Sequence, residues 1–289
     1  FKKIVLFTFP HVGVCGATEI GQPVMAAGLV CRSIAKDASS PNSELPFRQY
    51  VQQNKLGGMT DVDPREIALY IQQTGPQLFA IAGDEERCAH ILRFPPEPER
   101  DFDQESALEK THDIALIDMG ITAKDRDYLL GKAEMDIFNP DVPIEDLEEY
   151  TAFVVCGGCE DYIPMAEETI ARLMKAMKPM LGFGLGHMLM AKAQGWDIEK
   201  DRAFFGYSQP AKMMSSERIV YTQRADWYTP SGAGRGKPIY RDADTKSTIC
   251  GIEYYDNCYS LAFEPDGYAQ ANQFFKYVGG GACCPSDVI

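Results

Sequence analysis

Leu181-Gly182-Phe183-Gly184-Leu185-Gly186-His187-Met188 is the stretch on which the fold of this chain turns. A short apolar run, Met180–Phe183, ends in glycine, and a Leu/Met/Ala-rich segment follows as far as Gly195. That pattern predicts a strand turning sharply into a helix. In a nucleophile elbow, such a turn lifts one side chain above a parallel sheet. The residue at the tip here is Gly184. Glycine carries no group that can attack a substrate or relay a proton, so the architecture of the elbow is expected without its nucleophile.

Working outward, the neighbouring segments alternate in type. Ile114–Met119 and Ala152–Val155 are continuous apolar runs, as expected of parallel strands buried on both faces. Met135–Phe138 predicts a short strand and Ala123–Lys132 a helix. Ala166, Ile170, Leu173, Met174 and Met177 share one face of a second helix, which Pro179 ends. This β-α-β-α order implies a doubly wound parallel sheet, an α/β fold. After Asp197 the pattern loosens into shorter runs, with strands expected at Ile219–Thr222, Thr248–Tyr254 and Ser260–Phe263.

The first part of the chain reads as a separate α/β domain over residues 1–93. Lys3–Phe9 and Leu78–Ala82 predict strands. Asp63-Pro64 is an N-cap followed by proline at the first helical position, with Gly75 as the stop, and Asp84 caps a second helix. Residues 94–110 are rich in Pro and Glu and read as a linker. The second domain spans residues 111–278, and residues 279–289 form a Gly-rich tail expected to be flexible.

Composition narrows the function classes. The 289 residues are 45% hydrophobic and 24% charged, ordinary for a soluble globular protein. The net charge of −14 argues against a nucleic-acid partner. No apolar run reaches the ~18–20 residues that span a bilayer. Nine cysteines, an odd number, point to free thiols in a reducing intracellular compartment, the cytoplasm or an organelle matrix. Cys156-Gly157-Gly158-Cys159 has redox spacing but follows a strand instead of opening a helix, and no ordered second pair completes a zinc site. No cofactor and no metal are expected.

The elbow resembles the G-x-C-L-G-H-Q segment of class I glutamine amidotransferases, with Gly184 at the cysteine. Two further stretches make the chain similar to the small subunit of carbamoyl-phosphate synthetase. Ile4–Gly13 resembles its I-V-x-x-T-Y-P-H-I-G segment. Asp61–Ile67 with Ile81-Ala82-Gly83-Asp84 resembles its D-I-D-T-R-x-L and I-x-A-G-D pair. The resemblance runs from Ile4 to Val278 and implies a small-subunit N-terminal domain followed by an amidotransferase-like domain. Against that family the opening strands are missing and the chain starts at Phe1 without methionine, as expected of a trimmed chain.

The resemblance also implies where chemistry would sit. A cysteine amidotransferase needs a thiolate, an activating imidazole, a carboxylate to orient it, and an oxyanion hole. The family's late G-H-P-E segment aligns with Glu264-Pro265-Asp266-Gly267-Tyr268, placing Asp266 at the histidine and Tyr268 at the glutamate. No shift of register rescues the base, because the four histidines are His11, His90, His112 and His187. The oxyanion loop N-G-P-G-D-P aligns with Cys156–Asp161, placing Cys159 at its second glycine. The glutamine-holding segments become Tyr207–Pro210 and Gln223–Trp227. His187 corresponds to a scaffold histidine of the family. Cys159 is a weak candidate for a relocated nucleophile, since a neighbouring Asp266 would raise its pKa.

These substitutions imply a pseudo-amidotransferase: no glutamine hydrolysis, and a structural or accessory role in a larger complex. The partner implied is a synthetase large subunit or another multi-subunit assembly. Two alternatives stand beside it. One is a working glutaminase subunit of carbamoyl-phosphate synthetase, serving pyrimidine or arginine synthesis. The other is a small-ligand sensor whose emptied pocket is lined by Arg224, Asp226, Asp266 and Tyr268.

Overall fold

The apolar runs around the elbow form strands covered on both faces, and the rest of the fold is arranged about them. The computed structural model describes residues 4–18, 24, 26–74, 78–94, 106–107, 109–158, 160–200, 206–224, 228–245, 247–264 and 269–279. The chain divides into two units, Phe1–Asp101 and Phe102–Ile289. Most of the expected linker, and the tail beyond residue 279, lie outside the described residues.

The first unit holds β1 (Ile4–Leu6), β2 (His11–Val12), β3 (Gly28–Val30), β4 (Ser33–Ile34) and β5 (Gly57–Met59). Its helices are α1 (Phe47–Gln53), α2 (Pro64–Thr74) and α3 (Glu85–Arg93). Strands β1, β3 and β5 form a parallel sheet, and β2 pairs with β4. Both predicted caps form. The Asp63 carboxylate accepts the N–H groups of Arg65 (3.0 Å) and Glu66 (3.2 Å), and that of Asp84 accepts the N–H of Arg87 (2.7 Å). The core is small: Val12, Leu29 and Cys31, with Phe7, Ile34, Phe47 and Val51 against it. No side chain of α1 or α3 is fully buried. The strand expected at Leu78–Ala82 is absent; that segment has no ladder partner among the described residues, and Leu78 is 72% exposed. A short apolar run makes a strand only where its backbone groups find a neighbour.

The second unit contains β6 (Ile114–Asp118), β7 (Asp136–Phe138), β8 (Ala152–Cys156) and β9 (Met180–Phe183). There follow β10 (Asp197–Lys200), β11 (Gly206–Met213), β12 (Ile219–Arg224) and β13 (Tyr228–Ser231). Last come β14 (Lys237–Asp242), β15 (Ile249–Tyr255) and β16 (Cys258–Leu261). The helices are α4 (Ala123–Leu130), α5 (Ile163–Lys175), α6 (Leu185–Ala193) and α7 (Ala269–Val278).

Nine of these strands form one sheet in the order β12-β11-β14-β15-β16-β9-β8-β6-β7. The half from β16 to β7 is parallel, and the half from β12 to β16 is antiparallel. The sheet is therefore mixed. The helices that force parallel crossovers give way after α6 to turns, and turns between adjacent strands produce antiparallel pairs. Strands β10, β11, β13 and β14 carry polar and proline residues, and local sequence pattern does not predict them. In the parallel half, side chains alternate between two buried layers. Ile114, Leu116, Val154, Leu181 and Phe183 face Leu129 of α4 and Phe274 of α7. Ala115, Ile117, Phe153, Val155 and Met180 face Ile170 and Leu173 of α5 and Leu189 and Met190 of α6.

Candidate active site

The elbow forms as the sequence predicts. Strand β9 is wholly buried, ends at Phe183, and enters α6 through Gly184, whose φ is 55° and ψ −120°. An L side chain seldom takes that backbone conformation. The flanking glycines serve close approach. A Cβ on Gly186 would overlap the carbonyl oxygen of Val155 in β8, and one on Gly182 would overlap the Met190 sulfur of α6. These two positions set the strand–helix spacing, while Gly184 sets the direction of the turn.

Three backbone bonds fix the tip. The Gly184 N–H donates to the Leu261 carbonyl of β16 (3.1 Å), and the His187 N–H donates to the Gly184 carbonyl (3.0 Å). The Leu185 N–H donates to the Gly157 carbonyl (3.0 Å) in the loop after β8. In a nucleophile elbow, the amide after the tip residue points at the reacting oxygen. Here a carbonyl of the chain already occupies it.

His187 lies in the first turn of α6 and is fully buried. Its Nδ1 is 2.7 Å from the Ser260 hydroxyl, which in turn is 2.8 Å from the Tyr254 hydroxyl. Burial pushes its pKa down to about 3, so it is neutral at pH 7. This neutral histidine bridges β9–α6 to β15 and β16. Cys156, at the end of β8, is also buried. Burial first, then the charges of Asp125, Asp118 and Glu264, push its thiol well above the ordinary range. It is an inert thiol.

Of the other sequence-selected positions, Cys159, Asp226, Asp266 and Tyr268 lie outside the described residues. Arg224 is described, and it does not line an open pocket. It is 1% exposed, and its guanidinium donates to Asp242 (2.8 Å), the Thr222 hydroxyl (3.2 Å) and the Pro210 carbonyl (3.3 Å). A charge on an edge strand reads as available in the sequence, but its carboxylate partner on β14 turns it into a core clamp. Nothing local marks Glu160 either, whose carboxylate accepts the Tyr228 hydroxyl (2.8 Å) and the Lys200 ammonium (3.5 Å). Separations of 40 and 68 residues leave no local pattern to find. Among the described residues, no group of His, Cys, Asp and Glu could hold a metal ion. No helix among them is long and apolar enough to cross a membrane.

Residues 1–81 match the family model of the carbamoyl-phosphate synthase small chain, CPSase domain. The arginine-specific small chain of carbamoyl phosphate synthase from Halalkalibacterium halodurans is 28% identical over 259 residues, covering 78% of this chain and 70% of that protein. The carbamoyl phosphate synthase small chain of Listeria innocua is 25% identical over 304 residues, covering 95% of this chain and 82% of that one. The chain is similar to carbamoyl-phosphate synthase small chains. The likeness to the small chains extends through both units, since the Listeria alignment spans nearly all of the sequence. Among solved structures, a glutamine amidotransferase from Thermotoga maritima superposes with a TM-score of 0.44 at 16% identity, over 58% of this chain and 82% of its own.

Proposed function

We propose that this small-chain homologue is a pseudo-amidotransferase that does not hydrolyse glutamine and serves a structural or accessory role in a larger complex. The observation that carries this reading is Gly184 at the tip of an intact elbow. Gly184, Cys159, Asp266 and Tyr268 are, on this reading, the degenerate counterparts of the small-chain machinery. Two features support it. The histidine of the elbow is buried and neutral, and no histidine follows residue 187 to serve as base. The amide beside the tip is occupied by the Gly157 carbonyl.

The test is glutamate release from glutamine by the purified chain, alone and with a carbamoyl-phosphate synthetase large subunit. Release at the buffer rate in both conditions is expected. Turnover that disappears in Cys159→Ala would overturn the reading and identify a relocated nucleophile. A second reading, a working glutaminase subunit, is favoured by the names of the relatives, which are carbamoyl phosphate synthase small chains along most of the length. Turnover that needs the large subunit would establish it. The sensor reading loses one of its lining residues, since Arg224 is committed to Asp242.

A further inference from the structure

Along β7, one edge of the nine-stranded sheet, the chain supplies its own cover. The Ala107 N–H donates to the Ile137 carbonyl (2.9 Å), and the Asn139 N–H donates to the Ser106 hydroxyl (2.9 Å). At the other edge, β12 pairs with β11 alone among the described strands. Period-two alternation sorts this hairpin into two faces. Val220 and its register partner Ala211 face the buried layer of α4 and α7. Ile219 pairs with Lys212, and Lys212 with Arg241 of β14, so these side chains share the opposite face, with Tyr221 two residues along β12. Ile219 is 51% exposed and Tyr221 72%. With Met214 in the turn, the hairpin holds three of the six large apolar side chains that are exposed in the described part of the second unit, a concentration that singles out this face.

The cations on it are unevenly neutralised. Lys212 and Arg241 stand directly opposite each other, and like charges so placed repel. Lys212 reaches the exposed Glu217 of the turn (3.3 Å). Arg241 donates to the Ser247 carbonyl (3.0 Å) and has no carboxylate partner among the described residues. We propose that this face is a docking surface for an extended segment of a partner protein in which acidic and aliphatic residues alternate. Aliphatic side chains would lie on Ile219 and Tyr221, and carboxylates would meet Lys212 and Arg241. Charge selects this occupant. A second copy would bring the same two cations against themselves. A polynucleotide is opposed by the net charge of −14, whereas a short segment meets mainly the local cations, because charges beyond about 10 Å are screened at about 0.1 M salt. Aromatic residues, Met and Arg are also the types that concentrate at the centres of interfaces. The inference rests on the accessory role proposed above and is independent of whether glutamine is hydrolysed.

The test is fluorescence anisotropy of two short labelled peptides with the full chain, one alternating Glu and Leu and the other alternating Lys and Leu. The chain is expected to bind the Glu-Leu peptide and not the Lys-Leu peptide, and to release it as salt rises from about 0.01 M to about 0.15 M. Tyr221→Ser, and Lys212→Gln combined with Arg241→Gln, are each expected to weaken binding about tenfold. Where the double variant does not fold, Tyr221→Ser decides. Absence of Glu-Leu binding, equal binding of the two peptides, or unchanged binding in Tyr221→Ser would overturn the docking surface. So would a wild-type dimer that Tyr221→Ser dissociates, which would assign the face to a second copy, or tighter binding of a single-stranded oligonucleotide. None of these outcomes touches the glutamate-release test, so the two proposals fail separately.

Discussion

The two ends of the parallel strands are built on opposite principles. At the start of β7, β6 and β8, one buried carboxylate, Asp136, gathers the polar groups around it. It accepts the N–H groups of Thr111 (2.7 Å) and His112 (3.0 Å), the Tyr150 hydroxyl (2.7 Å) and the Thr111 hydroxyl, and it lies 2.7 Å from the His112 ring. At the other end, β6, β8 and β9 each run into a glycine of positive φ: Gly120 (85°), Gly157 (135°) and Gly184 (55°). The three buried side-chain atoms without a hydrogen-bond partner among the described residues, Asp125 Oδ1, Arg126 Nε and His187 Nε2, also lie in the first turns of helices that follow these strands. The first end is gathered on one buried carboxylate; the second turns on glycine backbone geometry, with Asp118 accepting the N–H groups of Gly120 (2.9 Å) and Ile121 (2.8 Å) after β6. Ligands of open α/β sheets bind at the carboxyl ends of the strands. This chain has an elbow at that end, with glycine at its tip.

The sharpest way to break the contrast is to remove the hub. Asp136→Ala leaves the buried Tyr150 hydroxyl and the part-buried Thr111 and His112 donors unpaired and is expected to cost about 3 kcal/mol, measured by urea unfolding at pH 7. Burial alone would raise the Asp136 pKa. Donation by the Thr111 hydroxyl, the His112 and Thr111 amides and Tyr150 outweighs burial and holds it well below the ordinary carboxylate range. Because the folded value is depressed, this stabilisation is fully present above the unfolded pKa of about 3.9 and is lost as pH falls through the folded value. The gap between wild type and Asp136→Ala should therefore be constant from pH 7 to about pH 4 and narrow below it. A gap that narrows above about pH 5 would show that another group controls the hub.

At the opposite end the expected costs are equal or smaller, and they rank the glycines. Gly186→Ala should cost about 3 kcal/mol, because the added methyl meets the backbone carbonyl of Val155, which cannot rotate away. Gly184→Ala should cost about 1–2 kcal/mol, the strain of holding a side chain at φ 55°, ψ −120°. Thermal melts of the two variants side by side check the order. A larger loss at Gly184 would mean that the tip, not the strand–helix spacing, is now the constrained part of the elbow.

Much of the parallel half was legible because burial on both faces leaves long apolar runs. Ile114–Asp118, Ala152–Cys156 and Met180–Phe183 fall within one residue of their expected ranges. The elbow itself was legible from three glycines, each answering a separate steric demand. The antiparallel half was harder to read. Strand β11 carries Ser208, Gln209 and Pro210. Its place between β12 and β14 is fixed by pairing across the chain, which composition does not encode. The Arg224–Asp242 clamp and the contacts of Glu160 with Tyr228 and Lys200 depend on the same long-range pairing. A charged residue reads as solvated until the strand opposite it is known.

The smallest expected effect bears most directly on function. Gly184→Cys places a thiol at the tip, with Gly184→Ser as a control of similar size. Neither should raise glutamine turnover above wild type. A thiol needs a base within reach to be regenerated through an acyl-transfer cycle. His187 is three residues away in sequence, but its Nδ1 is held by Ser260, and burial keeps it neutral down to about pH 3. The Leu185 amide would also have to leave the Gly157 carbonyl before it could stabilise an oxyanion. Turnover in Gly184→Cys that is absent in Gly184→Ser would mean that this end of the sheet still holds a working base and a hole that opens. The contrast between the two ends would then reduce to one missing sulfur atom. Equal, background rates in both variants would mean that the surroundings of the tip, and not only the tip residue, fail to support turnover.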